Sequence, residues 1–317
     1  MLHKTKKLLL IAFLLLGIAV SLTIAYQTNI LFTMKVATFA PELREVSGIE
    51  FDKKGRLWAI NDGGDGPHLY KVAQDGSVER KVKISNGRNL DWEDMTQDDF
   101  GHFFIGDFGN NDHIRKWLTI YKIENPIDIK TETTEAEIIK FQFPKDILTD
   151  DHELNKNHDL EAFVYYQGQL FLFTKNRNEE FDGKTHLFKI GDHAANFKAD
   201  YVSSYVTCTQ MQKSCWITSA ALSPKRDKLA LLDSKRVWLF TEWQGDNFFS
   251  GNVYKIDLGL LTQKESVTFY DNDTLVFTDE EYYGVGRNAY KLDLSTADKE
   301  LIKKADAKTG LFLHSLN

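Results

Sequence analysis

The chain has 317 residues, 42% of them hydrophobic and 13% aromatic, with a formal charge of −7. This is the make-up of a folded protein, aromatic-rich in the way that strand-rich proteins are. The acidic balance and the lack of any basic stripe argue against nucleic acid as a partner.

The first 26 residues stand apart from the rest. Lys4, Lys6 and Lys7 precede a run from Leu8 to Tyr26 that carries no charged residue. A basic start followed by an apolar stretch at the extreme N-terminus is an export signal rather than part of the fold. Two versions are open. Small residues at Ala19 and Ser21, or Thr23 and Ala25, suit a cleavage point, whereas an uncharged run of 19 residues is also long enough for an uncleaved membrane anchor. Setting aside those three lysines takes the charge of the remainder from −7 to −10. The expected location is extracytoplasmic, periplasmic or secreted, with the membrane touched only through this segment.

Residues 27–317 read as one domain built on an internal repeat. After a spare strand-like segment, NILFTMKVATFA (29–40), five segments share one pattern: REVSGIEFDKKGRLWAIND, LDWEDMTQDDFGHFFIGD, HDLEAFVYYQGQLFLFTK, WITSAALSPKRDKLALLD and QKESVTFYDNDTLVFTD. Each is a strand, a turn and a second strand. A third strand follows in HLYKVA, LTIYKI, THLFKI, RVWLFTEW and NAYKLDL, and a fourth in VERKVKI, EIIKFQF, DYVSSYV and GNVYKIDL. Four strands per unit, repeated radially, are the signature of an all-β propeller. Five blades are expected, with six as the alternative. The last unit lacks a fourth strand, which either 29–40 or LIKKAD near the C-terminus would supply. Closing the ring in this way also covers a sheet edge. Nothing in the pattern calls for a second copy, so a monomer is expected.

The only two cysteines, Cys208 and Cys215, lie seven residues apart in CTQMQKSC between the third and fourth units. In an exported chain such a pair is expected to close a disulfide.

Aligning the five units places Ser47, Glu93, Glu161, Ser219 and Glu265 in one column at the start of each first strand. First strands line a propeller's central channel, so these side chains are expected to converge. Three carboxylates together repel strongly where the dielectric is low. A hard cation resolves the conflict, and an all-oxygen donor set of this size suits Ca²⁺. A second column holds Asp62, Asp107, Lys175, Asp233 and Asp279, set 14 residues further on in four units and 15 in the first. A hairpin of that length returns to the level at which it began, so both columns should open at one mouth. Asp62 and Asp107 are the catalytic candidates. Asn61, Lys175 and Arg177, in the turn-rich loops NDGGDG and TKNRNEE, are the candidates for holding a small anionic or phosphorylated ligand.

The order Ser, Glu, Glu, Ser, Glu, one per unit, resembles that of the calcium-activated nucleotidases, or apyrases, across roughly 45–280. The resemblance is clearest in VSGIEF with LWAIND and in QKESVTFYDNDTLVF. It implies a secreted or membrane-anchored five-bladed propeller with an axial Ca²⁺ held by the first column. The chain departs from the family where Asn61-Asp62-Gly63-Gly64-Asp65 replaces Asp-Asp-Arg-Thr-Gly, and where Phe173-Thr174-Lys175-Asn176-Arg177 replaces a Leu-Pro-Arg-Arg stretch. The resemblance therefore carries the metal site further than it carries nucleotide chemistry. NDGG, DWED and GDFGNN also resemble bacterial secreted propellers of the esterase-like and SdiA-regulated kind. Three functions stay open: a Ca²⁺-dependent phosphohydrolase acting at the mouth, a non-catalytic propeller binding an envelope glycan or protein around a structural Ca²⁺, and a lactonase or esterase.

Overall fold

The computed structural model describes residues 2–144 and 157–306. It is a five-bladed β-propeller. Blade one comprises β2 (Val46–Phe51), β3 (Leu57–Asn61), β4 (His68–Val72) and β5 (Val78–Ile84). Blade two comprises β6 (Trp92–Gln97), β7 (Phe103–Asp107), β8 (Leu118–Ile123) and β10 (Glu137–Gln142). Blade three has β11 (Asp159–Tyr166), β12 (Gln169–Lys175), β13 (Lys184–Gly191) and β15 (Asp200–Val206). Blade four has β16 (Ile217–Leu222), β17 (Lys228–Asp233), β18 (Arg236–Thr241) and β19 (Asn252–Asp257). Blade five has β20 (Lys264–Phe269), β21 (Thr274–Asp279) and β22 (Asn288–Asp293), and is completed by β1 (Lys35–Thr38). The innermost strands touch in cyclic order, β2 to β6 to β11 to β16 to β20 and back to β2. There are thus five units rather than six.

The spare segment before the first repeat closes the ring, and only its second half is strand. β1 pairs antiparallel with β22, whereas residues up to Met34 belong to a helix, α1 (Leu2–Met34). The C-terminal candidate does another job. β23 (Glu300–Lys303) lies antiparallel on β19 and covers the rim of blade four. Blades one and two gain short parallel rim strands, β9 (Thr133–Thr134) on β5 and β14 (Asn196–Lys198) on β10. Covering edges in this way removes templates for aggregation.

The core is five apolar layers, one between each pair of neighbouring blades. Trp58 and Trp92 fill the layer between blades one and two, and Phe163 and Phe188 pack on Phe104, Phe108 and Phe141 between two and three. Leu31 of α1 joins the layer between blades four and five. Among the described residues no helix is long and apolar enough to cross a membrane. Cys208 and Cys215 are disulfide-bonded, with Cα atoms 5.7 Å apart.

The hairpin joining the first two strands of each blade sets the register at the channel. Blades one and two turn over five residues, with Asp52 and Asp98 accepting the N–H groups of Lys54 and Phe100. Asp271 plays the same part in blade five, accepting from Asp273. Blade three turns over two residues, Gln167 and Gly168, both left-handed. That is the tight hairpin that matches strand twist. Blade four takes six residues, between Leu222 and Leu229.

Candidate metal centre and channel mouth

Every innermost strand carries a β-bulge at its first turn into the channel. The residues skipped by the ladder are Ser47, Glu93, Glu161, Thr218 and Glu265. Bulges re-aim side chains, and here they turn these residues toward the mouth. Four of the five are the predicted column. In blade four the position belongs to Thr218, and Ser219 lies one residue deeper. The longer hairpin of blade four causes the slip, because a constant offset of 14 residues does not hold across hairpins of two, five and six residues. The residues facing the strand starts slip likewise: Asn61 pairs with Val46, so Asp62 lies one step beyond the strand level, and Thr174 pairs with Leu160, so Lys175 lies one step further out, paired with Asp159.

Between blades one and two, Asp62, Asp91 and Glu93 bring carboxylate oxygens within 4.8 Å of one another. Asp62 leaves the end of β3, Glu93 sits on the bulge of β6, and Asp91 comes from the loop before β6. The loop after β7 closes over them at Gly109, whose N–H donates to the Asp91 carbonyl at 3.2 Å. A Cβ on Gly109 would lie 2.2 Å from Glu93 Oε1 and 2.3 Å from Asp91 Oδ2. Only glycine allows the backbone so close to both groups. Burial, then repulsion from Asp91 and Glu161, raises Asp62 to about 7. Burial and the neighbouring Glu161 and Asp62 push Glu93 well above the usual carboxylate range. Burial likewise raises Asp91, with Asp159 adding repulsion. Among the described residues no ion pair reaches these three.

Blade three is charged differently. Lys175 contacts Glu161, and Arg177 contacts Asp159 through Nε and Glu161 through Nη2 at 3.3 Å. Both cations lie over the ring of Trp216, at 5.0 and 4.8 Å. Burial works against the charge on Lys175, but Glu161 and Glu265 outweigh it and hold its pKa up. Glu161 rises to about 7 through burial, opposed by Lys175. Glu265 rises to about 8 through burial, and Glu280 to about 9 through burial and the nearby Glu265. Lys175, Arg177, Trp216, Glu265 and Glu280 line a cavity of about 560 Å³ over blades three to five.

The other predicted residues fall into supporting positions. Asp107 is fully buried, and its Oδ1 accepts from the Asp91 N–H and from Arg115, both at 3.0 Å. It holds Asp91 in place and is not open to a substrate. Asn61 is also buried, its amide donating to Glu42 O at 2.7 Å and to Asp65 at 3.0 Å. It fastens the NDGGDG loop and does not face the cavity. The Ser219 hydroxyl donates to Asp94 at 3.1 Å and accepts from the Val267 N–H at 3.0 Å. Asp94 was not foreseen. From blade two it accepts the N–H groups of Phe163 in blade three, at 3.3 Å, and Ala220 in blade four, at 3.2 Å. It thereby satisfies inner-edge donors that would otherwise face the channel unpaired. Burial pushes its pKa well up. Asp91 and Asp159 were missed because each sits two residues before the aligned column, Asp91 in the connection leading to β6 and Asp159 at the first position of β11.

The donor chemistry fits Ca²⁺. Asp62, Asp91 and Glu93 offer hard carboxylate oxygens and no nitrogen or sulfur. Two buried oxygens of the bulge column, Ser47 Oγ and Glu161 Oε2, make no hydrogen bond within the protein. Such orphans are uncommon in folded proteins.

No family model matches the chain, and no curated protein does, so the resemblance to the calcium-activated nucleotidases stays a resemblance of motifs. Solved structures similar to it include a gluconolactonase from Xanthomonas campestris, at 11% identity and a TM-score of 0.41, covering 78% of this chain and 71% of that one. A chain of a nidogen/laminin complex matches at 13% identity and a TM-score of 0.44, covering 82% and 80%. The Cps50 (Swd1) β-propeller domain from Myceliophteria thermophila matches at 10% identity and a TM-score of 0.41, covering 81% and 98%.

Proposed function

We propose that this chain is an exported Ca²⁺-dependent hydrolase acting at the channel mouth on a small anionic ester, a phosphoester in the first instance. The carrying observation is the carboxylate cluster of Asp62, Asp91 and Glu93 beneath Gly109. The three would hold the ion, with the unpartnered oxygens Ser47 Oγ and Glu161 Oε2 as candidates for further ligands. When bound, the ion supplies Lewis-acid polarisation of a substrate oxygen and orients water. Asp107 fixes Asp91, and Trp216 keeps Lys175 and Arg177 at the cavity wall. Their positive charge favours an anionic ligand. Export is supported by the disulfide. The basic-then-apolar N-terminus supports it as well, whether that segment is cleaved or kept as an anchor.

One observation favours a second reading. Lys175 and Arg177 are already engaged by Glu161 and Asp159, as expected if the ion is structural and the mouth only binds. A panel of a nucleoside diphosphate, an aryl phosphodiester, an aryl ester and a δ-lactone, assayed with Ca²⁺ and with chelator, separates the two. Turnover that needs Ca²⁺ and is lost in Glu93→Gln supports the hydrolase. A Ca²⁺-loaded protein inert on all four overturns it in favour of binding.

A further inference from the structure

α1 does not end where the propeller begins. Its last turns pack on the rim between blades four and five, with Leu31 in the core and the Gln27 carbonyl accepting the Leu260 N–H at 3.2 Å. Leu260 lies in the loop that leads from β19 to β20, on the side of the ring where Asp62 and Glu93 emerge. Further toward the N-terminus, Thr23 and Ile24 stand beside Met211 and Leu261 of two such loops. Residues 12–26 are exposed. The helix therefore rises past the mouth face and out of the molecule. At 1.5 Å per residue, residues 12–22 reach roughly 16 Å beyond it, about half the hydrocarbon thickness of a bilayer.

That projecting stretch has no polar side. Phe13, Leu14, Leu15, Leu16, Ile18 and Leu22 point in all directions and all are exposed. A helix apolar all round belongs in a core or in lipid. The hydroxyl of Thr23 donates back to Ala19 O at 2.9 Å, and that of Thr28 to Ile24 O at 2.7 Å. Their hydrogen bonds are thus satisfied without water, as lipid requires.

The mouth loops carry the matching surface. Tyr283 is 91% exposed, Val285 70%, Met211 64% and Leu261 45%. At the opposite end, among the described residues, the turns between first and second strands expose only Phe100 and Tyr270 as large apolar groups. The apolar surface is continuous with the cavity. Leu260 and Leu261 lie both beside Ile24 and in the wall of the mouth cavity, where Tyr282 and Val285 join them. Tyrosines at such a rim suit a membrane interface.

We infer that the propeller stands mouth-down on a lipid bilayer, and that the cavity receives the polar headgroup of a membrane amphiphile. The headgroup would meet Lys175, Arg177 and Trp216, while its acyl part lies along Leu261, Tyr282 and Val285. This rests on the reading of the mouth as the functional site and names its substrate class.

The full-length protein, reconstituted into phosphatidylethanolamine/phosphatidylglycerol vesicles, tests the orientation. A bimane label is placed by Tyr283→Cys or Leu261→Cys, and by Lys53→Cys on the opposite face as control. The native disulfide stays oxidised and does not label. A shallow doxyl-labelled lipid should quench both mouth labels roughly two-fold, as for groups about 5–10 Å into the headgroup/acyl boundary, and should leave the Lys53 label unchanged. Unquenched mouth labels, or a quenched Lys53 label, overturn the proposal. A second arm measures Ca²⁺-dependent turnover of the headgroup phosphodiester on a vesicle lipid against the aryl phosphodiester in solution. Faster turnover of the lipid, reversed in Tyr282→Asp/Val285→Asp, supports the substrate class, and equal rates in both proteins overturn it. Quenching with no Ca²⁺ dependence of stability sinks the metal reading alone.

Discussion

Alanine at Gly109 would add a single methyl group where the candidate metal centre is tightest. The added carbon would lie 2.2 Å from Glu93 Oε1 and 2.3 Å from Asp91 Oδ2. Ordinary carbon–oxygen contact needs about 1 Å more, so both carboxylates must swing away together. Gly109 is not among the left-handed glycines, so alanine strains nothing in the backbone itself. The cost falls on the ligands. Ca²⁺–oxygen bonds span only about 2.3–2.6 Å, so a shift of this size takes two of the three carboxylates out of register. A loss of about 100-fold in Ca²⁺ affinity, equal to about 2.7 kcal/mol, is expected. Thermal unfolding across a Ca²⁺ titration reads it directly. Wild type should gain melting temperature as Ca²⁺ saturates, and Gly109→Ala should not, while the two melt alike in chelator. Gly64→Ala is the control. Its φ is +92° and open space surrounds it, so alanine should destabilise by about 1 kcal/mol with and without Ca²⁺. If Gly109→Ala keeps the full Ca²⁺ response, the cluster is not the binding site.

Three further outcomes are expected. Asp94→Ala leaves the N–H groups of Met95, Phe163 and Ala220 without their acceptor. At about 1–3 kcal/mol each, denaturant unfolding should show a loss of at least about 3 kcal/mol, partly restored in Asp94→Asn, whose amide oxygen still accepts. Replacing Cys208 and Cys215 by serine opens a loop of eight residues, which the chain-entropy account values at about 2.5 kcal/mol. A melting temperature indifferent to reductant would contradict that. Burial lowers His186 from 6.5 to about 4, with Lys184 adding to the effect. The unfolded chain thus takes up a proton below 6.5 that the folded chain refuses until about 4, and stability contributed by the neutral ring fades as pH falls through that window. The full effect is up to about 3 kcal/mol. His186→Phe keeps the ring packed near Phe188 and Tyr201. It should abolish this part of the acid loss in a wild-type-minus-variant comparison between pH 7 and pH 4, and superimposable curves would refute the assignment.

Much of this architecture follows from local sequence alone. The alternation of apolar and polar residues and the turn residues between them determine where a strand starts and stops, because strand formation depends on near neighbours. Hence five repeats predict five blades, the third and fourth strands fall where their aromatic patterns place them, and a surplus strand ahead of the first repeat closes the last. Glu93 and Glu161 were legible for the same reason, since each opens a repeat. Which groups actually meet was decided by tertiary structure. A two-residue turn at Gln167-Gly168 and a six-residue connection in blade four shift the register by one, and so Thr218 rather than Ser219 takes the bulge. Asp91 joins Glu93 and Asp62 because a glycine from the following loop folds over it. Asp94 finds partners one and two blades away in space and up to 126 residues away in sequence. Lys175 and Arg177 look like free cations in one dimension, yet the pairing of β11 with β12 sets them against Glu161 and Asp159. Side-chain convergence at an axis depends on the exact length of every connection around the ring, and no periodic signal in the sequence encodes that.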